Sequence, residues 1–199
     1  MRTLVVATTN PGKLREIREL LAGASLDLKT LSDYAPIVAP EETGTTFEGN
    51  AREKAAFYAK ATGELVVAED SGLEVDALGG TPGVHSARYG GDAATYSEKF
   101  SLIYKGLADA GVVTSAARFV CALAVADGGA IVFEARGTIE GTIAPEPRGT
   151  GGFGYDPIFF YPPFGCTLAE AGERKARVSH RGQAFRELRR ALDAGRIGA

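Results

Sequence analysis

The sequence predicts an α/β fold built on a mixed sheet. A short β-prone run, residues 3–7, leads straight into a helix start at Asn10-Pro11. A second apolar run, Leu65-Val66-Val67-Ala68, stops at a pair of carboxylates, Glu69 and Asp70. Two longer β-prone stretches, residues 117–126 and 130–138, flank Asp127-Gly128-Gly129, a hairpin signal. The first two observations fit strand–helix units. The third demands antiparallel neighbours, so the sheet is mixed rather than purely doubly wound.

Along the chain, Asn10 suits a helix N-cap and Pro11 the first helical position. Leu14, Ile17 and Leu21 repeat at helical spacing, which predicts a helix over residues 11–21. Its N-terminus presents free N–H groups and the positive end of a dipole, a site that favours anions. Lys13 in that first turn opposes the dipole, which makes sense if an anion neutralises it. The segment is not a Walker loop, because Ala7 stands where the earlier glycine belongs and Leu14 follows the lysine. Residues 26–31 alternate as a strand, and residues 32–40 form a proline-containing loop. Glu41-Glu42 bring an acid pair into a turn. Thr45 and Glu48 have capping-box spacing ahead of a stripe formed by Phe47, Ala51, Ala55, Tyr58 and Ala59. Lys54 lies at the edge of that stripe, either as a solvated charge or as a phosphate contact.

The run over residues 65–73 is the centre of the pattern. Ser71-Gly72 reads as a turn, which places Glu69 and Asp70 at a strand's carboxyl end, the edge where α/β sheets bind ligands. Consecutive strand residues point to opposite faces, so one of the two acids is the better candidate. Asp70 is the one expected to bind Mg²⁺ or to take a proton from water; the alternative is a solvated strand end. Residues 74–78 continue as strand. Thr95 can cap a helix reaching residue 110, with Phe100, Ile103 and Leu107 inward. Gly149, Gly151 and Gly154 match a GxGxxG spacing. They follow Pro145, Pro147 and Arg148 and precede an extended Asp156-Pro157 run, so a dinucleotide fingerprint is rejected. The glycines instead suit a loop that wraps a flat ligand, with Phe153 or Tyr155 either stacking on it or tucked into the core. Ser179 can cap a last helix with Phe185, Leu188 and Leu192 on one face, which sets His180 and Arg181 at its N-terminus, a poor place for cations without an anionic or acceptor-rich partner; the alternative is a generic charged surface.

The 199 residues suffice for one sizeable domain, and a net charge of −3 with mixed signs argues against a nucleic-acid polymer as partner. No apolar run reaches membrane-spanning length, and residues 1–7 are too short for a secretion signal, so a cytoplasmic location is expected. Two cysteines, Cys121 and Cys166, supply no disulfide framework, and two distant histidines supply no zinc site.

Four blocks together resemble the inosine triphosphate pyrophosphatase family: residues 8–13 with Thr-x-Asn-x-x-Lys, residues 69–73, residues 149–160, and residues 179–182 with Lys175 ahead of them. Thr-Gly-Gly-Phe-Gly-Tyr-Asp-Pro followed by Ser-His-Arg-Gly is the specific part. The resemblance spans residues 4 to about 192. It implies a single domain, residues 1–199, with a long curved mixed sheet and flanking helices forming two lobes around a cleft. It implies hydrolysis of non-canonical purine nucleoside triphosphates to monophosphate and pyrophosphate with Mg²⁺, in a homodimer. Carried over, Thr8, Thr9, Asn10, Pro11, Gly12, Lys13 and Lys175 hold phosphates, and Ser71 joins the substrate site. Glu41 and Asp70 bind metal, with Asp70 the general base. Phe153, Gly154, Tyr155, Asp156, His180 and Arg181 cradle and read the base, Arg181 donating to an oxygen at C6. Glu69 stands where many members have Asp, and Gly49 where Glu is frequent. The alternatives are a Maf-like nucleotide pyrophosphatase, whose Ser-Pro-Arg-Arg start is absent, and a nucleotide-binding module without turnover.

Overall fold

A computed structural model describes residues 2–197. In chain order its strands and α-helices are β1 (Arg2–Val6), α1 (Pro11–Leu21), β2 (Leu26–Thr30), α2 (Phe47–Thr62), β3 (Leu65–Val75), α3 (Tyr96–Asp109), β4 (Ala116–Asp127), β5 (Ala130–Ile143), β6 (Phe159–Tyr161), β7 (Cys166–Thr167), α4 (Arg174–Val178) and α5 (His180–Asp193). The strands form one seven-stranded mixed sheet in the order β2-β1-β3-β4-β5-β6-β7. β1 pairs in parallel with β2 and β3, while β6 runs antiparallel to β5 and β7. The β4–β5 turn carries Gly128 at φ 56° and Gly129 at φ 94°. Two successive positive φ values give the two-residue turn whose twist matches its strands.

Local chemistry sets most boundaries. Asn10 Oδ1 accepts from the N–H groups of Gly12 and Lys13 at 2.9 and 3.1 Å, so α1 starts where Asn10-Pro11 place it. α2 is capped by Thr46, whose hydroxyl accepts from the Gly49 N–H at 3.1 Å, one residue later than the Thr45 expected. Glu48 consequently falls at the second helical position and pairs with Arg136 instead of closing a capping box. β3 departs more from expectation. It does not stop at Ser71-Gly72 but runs unbroken to Val75, and a 3₁₀ turn, Asp76–Leu78, then replaces the expected strand. Burial overrides the local turn signal, since Leu73 and Val75 are fully buried and the Leu73 N–H donates to Ser86 Oγ at 2.9 Å. Asp156–Ile158 is likewise a 3₁₀ turn before β6, not extended chain.

The chain divides into two compact units, the first comprising the chain up to Asp70, Cys121–Gly137 and the chain from His180 onward. Its core gathers Leu4, Val6, Ile17, Leu21, Leu65, Val67, Leu123, Phe185 and Leu188. The inward faces of α1 and α5 meet the parallel strands there, as the helical stripes require. The second unit, Ser71–Val120 and Thr138–Ser179, has its own core of Leu73, Val75, Ile103, Leu107, Phe119, Tyr155 and Phe159. In the first unit, Gly137 sits against α5. A Cβ there would lie 2.0 Å from the His180 carbonyl oxygen, a backbone atom unable to yield. Gly137→Ala is expected to cost about 1–3 kcal/mol in a urea melt, the usual cost of overpacking. An unchanged melting curve would show that α5 can shift there freely.

Candidate active site

The residues expected to form the site fall into two sets, one in each unit. In the first unit α1 begins the set. Asn10 spends its side chain on the helix cap and its own N–H on Thr8 Oγ1 at 3.2 Å. Thr9, Asn10 and Pro11 are exposed, with Gly12 and Lys13 half-buried behind them. The misplaced cation Lys13 has a protein partner: its Nζ lies 2.8 Å from Glu69 Oε1. That same oxygen is 3.5 Å from Arg181 Nη2, and Arg181 Nη1 is 2.6 Å from Glu16 Oε2. The other Glu69 oxygen accepts from the Cys121 thiol at 3.3 Å.

Both Glu69 and Arg181 are almost wholly buried. Burial alone pushes the Glu69 carboxyl up, but the charges of Arg181 and Lys13 more than reverse this and hold it far below the usual carboxylate range. Burial and then the Glu69 charge push the Cys121 thiol up, so Cys121 is a neutral donor. Glu69 is therefore the counter-ion of two cations. Arg181, expected to donate to a purine, has two of its nitrogens on carboxylates, because an unbalanced guanidinium in that interior would be costly. His180 opens α5 and is also buried.

Asp70, on the opposite face of β3, has different neighbours. Its Oδ2 accepts from Asn50 Nδ2 at 2.8 Å, and its Oδ1 lies 3.8 Å from Lys54 Nζ, which contacts Glu42 Oε1 at 2.7 Å. Burial pushes the Asp70 carboxyl up, and Lys54 and the Asn50 hydrogen bond offset this only in part. A carboxylate with a raised pKa is the better proton acceptor near neutrality. Lys54 stays protonated, since Asp70 and Glu42 outweigh its desolvation. Sequence reasoning missed Asn50. The available signal was spacing: Asn50 and Lys54 are i and i+4 on α2, on one face, and a polar residue there must find a partner.

A hard cation such as Mg²⁺ takes oxygen ligands and needs only one or two carboxylates beside substrate phosphates. The donors fit. Lys54 places an ammonium between Glu42 and Asp70, marking a position where positive charge is favoured, and the buried Asn50 Oδ1 has no hydrogen-bond partner among the described residues. No group of three or more His, Cys, Asp or Glu forms a closed cage among those residues. Glu41, expected as the second ligand, is exposed, and it is Glu42 that enters the Asp70 network.

In the second unit the glycine loop is organised by Asp156. Its Oδ2 accepts from the Phe153 N–H at 2.8 Å and from Lys175 Nζ at 2.7 Å. Gly152, at φ 70°, is required there, because a Cβ would fall 2.1 Å from that oxygen. Lys175 Nζ stands 4.7 Å from the centre of the Phe153 ring, a cation–π contact. Phe153 and Gly154 are half-buried. Tyr155 is not a stacking platform: it is buried, donates to the Ser86 carbonyl at 2.8 Å and meets Tyr96 edge-on. Ser71, half-buried, is the first residue of this unit on β3.

The profile of the Ham1 family matches residues 4–191. A dITP/XTP pyrophosphatase from Thermus thermophilus is 51% identical over 195 residues, 96% of this chain and 92% of that protein. One from Gloeobacter violaceus is 49% identical over 189 residues, 94% and 93% of the two chains. Among solved structures, a HAM1 protein from Coxiella burnetii superposes with a TM-score of 0.91 at 39% identity, covering 98% of this chain and all of that one.

Proposed function

Because the chain belongs to the Ham1 family, we propose that it hydrolyses non-canonical purine nucleoside triphosphates (dITP, XTP and ITP) to monophosphate and pyrophosphate. The relatives' names support the substrate class. The observation that carries the chemistry is Asp70, a buried carboxylate with one oxygen fixed by Asn50 and the other facing Lys54. Water cleaves the anhydride between the α- and β-phosphates, Asp70 takes a proton from that water, and pyrophosphate departs with the bridging oxygen. Asp70 and the Glu41–Glu42 segment would hold Mg²⁺, which would supply neutralisation of phosphate charge. Thr8, Thr9, the α1 N-terminus and Lys13 receive phosphates, with Lys175 a further phosphate cation. In the second unit Phe153 offers a half-buried aromatic ring beside Gly154 and Asp156. The resemblance gives His180 and Arg181 the reading of the base and Ser71 a part in binding substrate. An arginine only donates, so it suits an oxygen at C6, which accepts, and opposes the amino group of adenine.

The deciding experiment incubates the protein with ITP, dITP, XTP, GTP and ATP in Mg²⁺ and identifies products by ion-exchange chromatography. Monophosphate and pyrophosphate from the first three, with ATP much slower, are expected. Orthophosphate and a diphosphate would overturn the assignment of the cleaved bond. Family resemblance also carries a homodimer and a cytoplasmic location. Light scattering on the purified protein checks the first. Cell fractionation checks the second. Among the described residues no helix is long and apolar enough to cross a membrane.

A further inference from the structure

We infer that Glu69 is a positioning residue that couples the phosphate end of the substrate site to its base end, by holding Lys13 and Arg181 with one carboxylate oxygen. The inference rests on the reading of Lys13 as a phosphate contact and Arg181 as a base contact.

The geometry is a chain of alternating charges. Lys13 reaches Glu69 Oε1 at 2.8 Å, Arg181 Nη2 reaches the same oxygen at 3.5 Å, and Arg181 Nη1 reaches Glu16 at 2.6 Å. Glu16 lies three residues beyond Lys13 on α1, so one helix supplies both ends of the chain. The Glu69 carboxylate has little freedom to share its load differently, because Oε2 already accepts from the buried Cys121 thiol at 3.3 Å. Exposure is graded along the chain. The side chains of Glu69 and Arg181 are each 2% exposed, whereas Lys13 is 19% exposed and can turn outward.

A triphosphate at the α1 N-terminus competes for the Lys13 ammonium. When Lys13 turns to it, Glu69 Oε1 loses one of its two cations and its charge acts on Arg181 alone. The guanidinium is then held more firmly on Glu69, which fixes the direction of its remaining N–H groups. Filling the phosphate end thus orders the base end, and by linkage a well-matched base favours release of Lys13 toward the phosphates. A bare nucleoside or bare polyphosphate loses this mutual gain. A Glu that merely balanced charge would leave the two ends independent.

The test is a mutant cycle on kcat/KM for ITP, run with Lys13→Ala, Arg181→Ala and both, first in the parent and then in Glu69→Gln. Glutamine keeps an acceptor oxygen but removes the charge being divided. In the parent, Lys13→Ala should reduce kcat/KM by a factor about fivefold or more greater when Arg181 is present than when it is alanine. In the Glu69→Gln background the two factors should agree within about twofold. Equal factors in the parent, or an unequal pair that survives Glu69→Gln, would overturn the coupling. If neither single substitution slows ITP turnover, the assignment of the two ends fails instead, which is a different result. Thermal melting checks each variant for folding. Should Glu69→Gln not fold, Glu69→Asp replaces it. Its carboxylate is withdrawn by one methylene from both cations, and the coupling should fall at least by half.

Discussion

Asp70→Asn should lower kcat for ITP by about a hundredfold to ten-thousandfold, the usual loss of a general base, while substrate still binds. Asparagine matches aspartate in shape, and its side-chain oxygen can still accept from Asn50 Nδ2, which now donates at 2.8 Å. What disappears is the negative charge beside Lys54 and the ability to take a proton. Lys13 and Lys175, the cations proposed to hold phosphate, are untouched, so titration of ITP onto the variant should give a Kd within about tenfold of the parent's KM. A binding module without turnover would show no change on this substitution. If the variant turns over like the parent, the base lies elsewhere, and the structure names the next suspect as Glu42, which shares Lys54 with Asp70. Glu69 is the weaker suspect, because Lys13, Arg181 and Cys121 occupy its oxygens and its carboxyl is held far too acidic to accept a proton near neutrality.

Glu69→Leu should cost about 3 kcal/mol of stability, roughly 10 °C in Tm for a chain of this size. Removing one member of a buried ionic group leaves the other charge uncompensated, which is worse than removing the whole group. The cost stays near the lower end of that range because Glu16 still holds Arg181 and Lys13 can reach water. The pH dependence follows from the depressed carboxyl. Its contribution is fully present above the ordinary glutamate value of 4.5 and is lost as pH falls from there toward the much lower folded value. The deficit of Glu69→Leu should therefore be greatest at neutral pH and shrink by about pH 3. Urea melts in the presence of a chelator measure both. A deficit below about 1 kcal/mol, or one that is the same in acid, would show that the ion cluster contributes no net stability.

The elements that could be read from the sequence are those whose cause lies within a few residues. Asn10-Pro11 announces α1, Gly128-Gly129 announces the hairpin, and Phe185 and Leu188 announce the buried face of α5; each is present. The misses have distant causes. Ser71-Gly72 reads as a turn until Leu73 and Val75 find a core. Tyr155 reads equally as a ligand contact or a core residue until it meets Ser86, 69 residues away. The site shows the same division. Strand alternation separates Asp70 from Glu69, as the sequence implies, but the Ser71-Gly72 turn that favoured Asp70 over Glu69 is absent, since β3 runs on to Val75. The task of Glu69 was not legible, since one of its cations is 112 residues ahead in the chain. Asn50 stayed hidden within an apolar helical stripe, and Glu42 behind an adjacent Glu41 of the same chemistry.

The unbroken path of β3 through Glu69 and Asp70 makes the enzyme intolerant of length change at that point. One residue added or lost between Leu65 and Glu69, with the pairing of Leu65 and Val66 to β1 preserved, would turn each following side chain to the other face. A deletion would bring the aspartate to the lysine–arginine cluster on a side chain one methylene too short. An insertion would bring the glutamate to Asn50 and Lys54 on a side chain one methylene too long. The composition would be almost unchanged, yet every charge would face the wrong partner. Insertions should be far better tolerated around residues 90–94, a surface turn whose backbone holds no partner in the strand ladder.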